Sequence, residues 1–451
     1  MNMDTLQQIA AALASGKITS HELTQQMLKR AQDPNGQGAK VFTKLFADQA
    51  LRAAQASDLL RQAGLSRSVL EGIPVSVKDL FDVKGQVTTS GSVVLKNTPA
   101  AEVDSTVVQR LRAAGAVVIG MTNMTEFAYS GLGINPHYGT PLSPWDRKTG
   151  HIPGGSSSGA AVSVSDGMAA AGIGSDTGGS VRIPSAFCGL TGFKPTARRI
   201  PMDGVFPLSR HLDSIGPLAN SVACCAVLDA VMAGQPIRVP EAAQLKGLRL
   251  AYPLQLVRDD MDSTVSHAFD RALNTLTKAG ALIQDIDLPE LLELATINAG
   301  GGFTAAEAWA DHAQRLATRG TEYDRRVATR IQRGQSLTAA DLLVLMQART
   351  SWIARVSRKL ADVDALIMPT VPVVPPAIAP LIQDDQHYGK TNMLVLRNCS
   401  VINFLDGCAL SLPAHAQGEA PVGLMLASLG GNDQRLLSMG LAVEQVINQA
   451  I

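Results

Sequence analysis

Two glycine-rich pieces decide how this chain reads. The first is Gly154-Gly155-Ser156-Ser157-Ser158-Gly159-Ala160-Ala161. The second is Ala169-Ala170-Ala171-Gly172-Ile173-Gly174-Ser175-Asp176-Thr177-Gly178-Gly179-Ser180. Between Gly150 and Gly192 lie 11 of the chain's 40 glycines and eight serines, far more than a connecting loop needs. Ser157 to Met168 is small and apolar nearly all round, which predicts a fully buried helix. Ala169 to Gly174 is a short apolar run fit for a central strand, and Ser175 to Ser180 reads as a tight turn leaving it. A strand–turn unit beside a buried helix is the local grammar of an α/β sheet.

Working outward, the same grammar recurs. Ile73-Pro74-Val75-Ser76-Val77 is a β-rich run that delivers Lys78 and Asp79. Asp104-Ser105-Thr106 supplies N-caps for a helix carrying Val107, Val108 and Leu111. Gly115 ends that helix, and Val117 to Gly120 follows as a strand. Residues 4–64 read as helices with apolar residues at helical spacing. Leu248–Tyr252, Ala281–Ile286, Ala365–Met368, Cys408–Leu412 and Val422–Leu426 are further candidate strands. Residues 303–360 read as mostly helical, the proline-bearing run Val371 to Pro380 as an extended loop, and the end from Asp433 as a closing helix. No internal repeat or disordered linker interrupts the pattern. The expectation is a single domain over 1–451, with 1–64 a helical segment packed on a core of 65–451.

Composition excludes several functions. The 39 Lys+Arg are balanced by 39 Asp+Glu, so neither nucleic acid nor an anionic membrane is expected as a principal partner. No run of about 18 apolar residues is free of charges, so no membrane span is expected. The N-terminal residues lack the apolar core of a signal peptide, and the expected location is the cytoplasm. The five cysteines are odd in number and hold no C-x-x-C pair, the pattern of buried free thiols.

Three chemistries compete for the glycine window. Gly154 and Gly159 have P-loop spacing, but Ala160 and Ala161 stand where Lys and Ser/Thr would be needed, so a triphosphate has no counter-charge. Gly155-Ser156-Ser157-Ser158-Gly159 matches a nucleophile elbow in form, yet Pro153 and its neighbours cannot be the strand that motif requires. The third reading uses both turns. Successive N–H groups from Thr177 to Ser180 can converge in one concavity, placing the Ser180 hydroxyl beside its own oxyanion hole. Ser156 and a buried Lys78 can reach the same place. A desolvated lysine is a competent base, which gives a serine–serine–lysine relay with neither histidine nor metal.

With these residues in place, the chain resembles the amidase signature hydrolases. The resemblance runs from about Gly72 to Val443. Its strongest block is Gly154–Ala161 through Gly174–Pro184, continued by Cys188-Gly189-Leu190 and Gly192-Phe193-Lys194-Pro195-Thr196. Gly72–Asp79, Thr122-Asn123-Met124-Thr125-Glu126-Phe127, Met368–Pro372 and Asn403-Phe404 support it.

The resemblance implies a large mixed, mostly parallel sheet sandwiched between helices, and no cofactor or metal. It assigns Ser180 as nucleophile, Ser156 as bridging serine behind a cis peptide bond, and Lys78 as base. Thr177, Gly178, Gly179 and Ser180 would supply oxyanion-hole N–H groups. Met124, Arg182 and Arg349 are candidate substrate contacts: Met124 is otherwise a core methionine, Arg182 reads equally as a structural salt bridge, and Arg349 is named because a similarly placed arginine binds a glutamine carboxylate in the amidotransferase subunits of the family. Asp176 reads as a structural acceptor near the turn.

The expected activity is hydrolysis of a carboxylic amide, or a related carbamate or urea-type bond. The alternatives are a glutaminase subunit of an amidotransferase and a silent module that binds a small anion. Lys390 to Ile402 holds no Asp or Glu, which counts against the glutaminase. Expected partners are a small-molecule amide and, at most, a second copy of the chain in a homodimer.

Overall fold

The structure is a computed structural model that describes residues 4–450. Eleven strands join in one sheet: β1 (Phe42–Leu45), β2 (Pro74–Lys78), β3 (Val117–Thr122), β4 (Ala171–Asp176), β5 (Thr191–Lys194), β6 (Ser214–Ala219), β7 (Arg249–Pro253), β8 (Leu282–Ile286), β9 (Ala365–Pro369), β10 (Cys408–Pro413) and β11 (Gly423–Ser428). Their order is β1-β3-β2-β4-β6-β5-β10-β11-β9-β7-β8. The sheet is mixed, as expected. Parallel pairing is confined to two flanking trios, β3-β2-β4 and β9-β7-β8. The centre, from β4 through β9, and the β1 edge pair antiparallel.

Side-chain alternation sorts the two faces. Ser76 and Gly172 face the helix Ser158–Ser165: the Ser76 hydroxyl lies 2.8 Å from that of Ser163, and a Cβ on Gly172 would lie 2.8 Å from the Ala160 carbonyl oxygen. The alternate residues Val75, Val77 and Ile173 belong to the main apolar core, where helices Thr106–Ala113, Val222–Ala233 and Asp433–Ala450 pack against one another. Small residues on both partners let the helix Ser158–Ser165 lie close to the sheet. Lys78 shares the parity of Ser76, so its side chain leaves β2 on that crowded face.

Several elements differ from the sequence expectation. The segment 1–64 is not all helical: Phe42–Leu45 forms an edge strand antiparallel to β3, between helices Ser20–Ala31 and Ala47–Gln62. Strands β5 and β6 were not foreseen, because both carry glycine and β6 also holds Pro217. A Cβ on Gly216 would fall 2.0 Å from the Phe193 carbonyl oxygen, so close strand approach rather than β propensity selects the residue. The helix Ile378–Gln383 begins inside the run expected to be an extended loop. Pro380 is tolerated there because it occupies the first turn, where an N–H has no helical partner anyway. All five cysteines are free and buried, as expected.

Candidate active site

The site is assembled where strands end. β2 lies between β3 and β4, parallel to both, and its last residue is Lys78. The carboxyl end of β4 delivers Ser175 and Asp176 to the same rim, the usual place for ligand sites in α/β sheets. Lys78 is wholly buried, with Nζ 2.7 Å from Ser156 Oγ and 2.9 Å from Ser175 Oγ. Loss of hydration there lowers its pKa from 10.5 to about 7, against the opposing pull of the Asp213 and Asp176 carboxylates. Ser175 was not singled out in the sequence. Its signal was only position, directly before Asp176 at the end of a strand running beside β2.

Ser156 is fully buried, and the Gly155–Ser156 peptide bond is cis. The Thr125 N–H donates to the Ser156 carbonyl oxygen at 3.1 Å, and the Gly155 N–H to Gly131 at 2.8 Å. The Ser157 N–H donates to the carbonyl oxygen of Ser180 at 3.3 Å, so the two glycine turns meet through their backbones. Ser157 stands at the N-cap of the helix Ser158–Ser165, but its side chain makes no capping bond. The Ser157 hydroxyl instead donates to the Ser175 carbonyl oxygen at 3.3 Å.

The turn after β4 is built around one carboxylate. Asp176 accepts from the N–H groups of Gly179 (2.8 Å) and Val181 (3.1 Å). It also accepts from Asn403 Nδ2 (2.9 Å) and, in a two-pronged pair, from Arg182 Nη2 (2.9 Å) and Nε (3.0 Å). Arg182 holds the Asp176 pKa well below the usual carboxylate range despite complete burial. Gly179 adopts φ +124°, and a Cβ there would come within 2.6 Å of Ile183 and Cys399 side-chain atoms.

The expectation of four oxyanion donors is therefore corrected. The Gly179 N–H is spent on Asp176, while those of Thr177, Gly178 and Ser180 have no partner among the described residues. The Ser180 hydroxyl likewise bonds to no described residue, and Ser180 is only 3% exposed.

The substrate candidates fare differently. Arg182 has no exposed surface and spends its remaining hydrogen bonds on Asn403 Oδ1 (2.6 Å), the Cys399 carbonyl oxygen (3.1 Å) and Met425 Sδ (3.2 Å), so it is a structural ion pair rather than a pocket residue. Arg349 is also committed. It donates to the carbonyl oxygens of Phe404 (3.0 Å) and Asn403 (3.1 Å) and to Asp406 Oδ1 (2.6 Å), closing the C-terminal end of the helix Asp385–Phe404. Met124 is buried in the wall behind Ser156.

A cleft of about 710 Å³ opens beyond that wall, lined by Lys40, Asn135, His137, Tyr323, Arg325 and Arg326 among others; neither Met124 nor the Lys78–Ser156 pair reaches it. Asn135 joins the two, donating from Nδ2 to the Met124 carbonyl oxygen at 2.7 Å.

Arg330 is a cation that no motif in the sequence marks. It donates to the Tyr129 carbonyl oxygen at 2.8 Å and lies 4.5 Å from that ring's centre, without a carboxylate partner among the described residues. Tyr129 precedes by two residues the Gly131 carbonyl that holds Gly155. The available signal was the density of arginines from Arg315 to Arg333.

A strand-end lysine is buried against a serine beside a turn whose N–H groups at Thr177, Gly178 and Ser180 have no partner among the described residues, and the sheet that carries them is one found in amide-hydrolysing enzymes. The Amidase family model matches residues 22–437, and the chain belongs to the amidase signature family. It is 35% identical over 403 residues to the 2-amino-5-chloromuconic acid deaminase of Comamonas testosteroni, covering 88% of this chain and 86% of that one. It is 33% identical over 472 aligned positions to a glutamyl-tRNA(Gln) amidotransferase subunit of Chloroflexus aurantiacus, covering 97% and 95%. Among solved structures, a crystal structure of an amidase superposes with a TM-score of 0.88 at 30% identity over 98% of this chain and 99% of that one.

Proposed function

We propose that the chain hydrolyses a carboxylic amide through a serine acyl-enzyme, with Ser180 as nucleophile, Ser156 as proton relay and Lys78 as base. The observation that carries this reading is the burial of Lys78 against Ser156, which favours a neutral amine at neutral pH. Neutral Lys78 takes the Ser156 proton as Ser156 takes that of Ser180. Ser180 Oγ attacks the amide carbon, and the charge developing on the carbonyl oxygen meets the free N–H groups of Thr177, Gly178 and Ser180. The proton returns through Ser156 to the leaving nitrogen as the C–N bond breaks. Water then cleaves the acyl-enzyme by the same relay.

The unpaired Arg330, beside the segment that holds Gly155, favours amides that carry a carboxylate, and the likeness to a deaminase of an acid supports that choice. A glutaminase subunit is the second reading, favoured by the amidotransferase relatives. The commitment of Arg349 to a helix end speaks against it. A fluorophosphonate probe tests the scheme directly: the native protein should be labelled at Ser180, and Ser180→Ala should not be. A native protein that stays unlabelled would sink the acyl-enzyme reading. Ammonia released from free glutamine would move the assignment to the second.

A further inference from the structure

Asp213 is a buried carboxylate for which the acyl-transfer scheme has no use. It lies just ahead of β6, whose Ser214 pairs with Asp176, and so runs alongside the nucleophile turn. Its Oδ1 accepts from the Thr177 hydroxyl at 2.5 Å. Its Oδ2 accepts from the N–H groups of Leu208 at 2.9 Å and Ser209 at 3.1 Å. The neighbouring arginines are engaged elsewhere, Arg182 with Asp176 and Arg210 with Asp311. The turn is thus pinned by two carboxylates: Asp176, neutralised by an arginine, holds Gly179 and Val181, while Asp213, with no such partner, holds Thr177.

We propose that Asp213 is a positioning residue for acyl transfer, fixing the first free amide of the oxyanion turn through the Thr177 hydroxyl. The proposal rests on the reading of Ser180 as nucleophile and Lys78 as base.

The charge of Asp213 also bears on Lys78, opposing desolvation as that of Asp176 does. Burial, with the nearby Glu307, raises the Asp213 carboxyl to about 6, so it is mostly ionised at the Lys78 midpoint and loses its charge below it. The groups facing it are few. Lys78 comes from β2, and the Asp176–Arg182 pair from the turn. Glu307 comes from the helix Gly302–Arg319, where it accepts from the Ser209 hydroxyl and His211 Nδ1. Arg210 and His211 lie in its own loop. Lys194 approaches from β5 through Ser214. Asp213 and Asp176 both oppose desolvation and keep the lysine from losing its proton at still lower pH.

Inactivation by a fluorophosphonate tests this without knowledge of the substrate. Ser180 Oγ bonds to phosphorus, fluoride leaves with the P–F electron pair, and the hydroxyl proton passes through Ser156 to Lys78. The measurement is kinact/KI against pH for the native protein and for Asp213→Asn, Thr177→Val and Thr177→Ser. Asp213→Asn should lower the plateau rate on the order of tenfold, less than the loss of an oxyanion donor outright. It should also move the midpoint down by about one pH unit, because an anion facing the lysine has gone. Thr177→Val should lower the plateau as well, and Thr177→Ser should restore it.

A folded Asp213→Asn protein with native midpoint and plateau overturns the proposal, since a purely structural carboxylate would change only the melting temperature. If Asp213→Asn does not fold, equal plateau rates for Thr177→Val and Thr177→Ser overturn it instead. A native protein left unlabelled overturns the acyl-enzyme reading and this inference together. Labelled native protein with insensitive variants overturns this inference alone.

Discussion

Replacing Arg182 with methionine asks how much of the site depends on one buried ion pair. Methionine is of similar length and apolar, so the void is small and the main loss is electrostatic. The guanidinium surrenders two hydrogen bonds to Asp176 and two more to Asn403 and the Cys399 carbonyl. Asp176 is left fully buried, with the N–H groups of Gly179, Val181 and residue 182 and the Asn403 amide to stabilise its charge. Removing one partner of a buried pair costs about 3–5 kcal/mol, because the survivor keeps its desolvation penalty. The expected signature is a melting temperature lower by roughly 5 °C, with slower fluorophosphonate labelling as the turn loses its anchor. Adding Asp176→Asn should recover most of the stability, since a neutral pair no longer strands a charge. Melting curves and labelling rates for the two single variants and the double variant close the cycle. An Arg182→Met protein with native melting behaviour and a raised KM alone would show that Arg182 faces substrate, refuting the reasoning.

The labelling rate of the native protein should rise with pH through a midpoint near 7 and then level off, since burial favours the deprotonated lysine; a maximum near pH 5 would reject Lys78 as base. The same depressed pKa lowers stability wherever the unfolded chain still holds that proton, so stability gains as pH rises from about 7 towards 10.5. Lys78→Met should therefore be inactive yet melt above the native protein at pH 7, which calorimetry can check. Gly179→Ala should abolish labelling and destabilise by about 2 kcal/mol or more, because φ +124° disfavours a side chain and the new Cβ would meet Ile183 and Cys399; retained labelling would mean the turn can relax. Arg330→Gln should raise KM for carboxylate-bearing amides about tenfold and leave neutral amides nearly unchanged, as a substrate panel would show. Equal effects on both classes would remove Arg330 from recognition.

What was legible in the sequence is what local chemistry encodes. Ile73–Val77 and Ala169–Gly174 announce strands by their apolar runs, and Gly178-Gly179-Ser180 announces a turn whose N–H groups face one way. Those units delivered Lys78, Ser156 and the Ser180 turn to one rim. What escaped was set by partners distant in the chain. Gly192 and Gly216 belong to strands because a neighbouring segment leaves no room for a side chain, a fact that propensity cannot carry. Phe42–Leu45 became a strand because β3 offered it an edge. Arg182, two residues past Ser180, read equally as a salt bridge and as a pocket residue, and Arg349 looked like a substrate ligand by family position. Their targets, Asp176 and the 403–406 carbonyl end with Asp406, lie 6 and more than 50 residues away, and only the folded contacts show that both cations are already occupied. Gly179 had the right residue type for an oxyanion donor, but its N–H turned inward to Asp176.

Asn403 completes the turn that begins at Asp176, 227 positions earlier, donating from Nδ2 both to the Asp176 carbonyl oxygen (3.0 Å) and to its carboxylate (2.9 Å). Lys78, Ser156 and Ser180, the residues of the proposed relay, all precede by more than 200 positions the residue that braces their turn. A chain growing from its N-terminus therefore makes the strut long after the turn, on a helix whose end Arg349 caps. A nascent chain thus carries both serines of the proposed relay before their turn is braced. Fragments stopped before residue 403 should carry both serines and stay unlabelled by a fluorophosphonate, which makes Asn403 a late checkpoint on the reactivity of the turn.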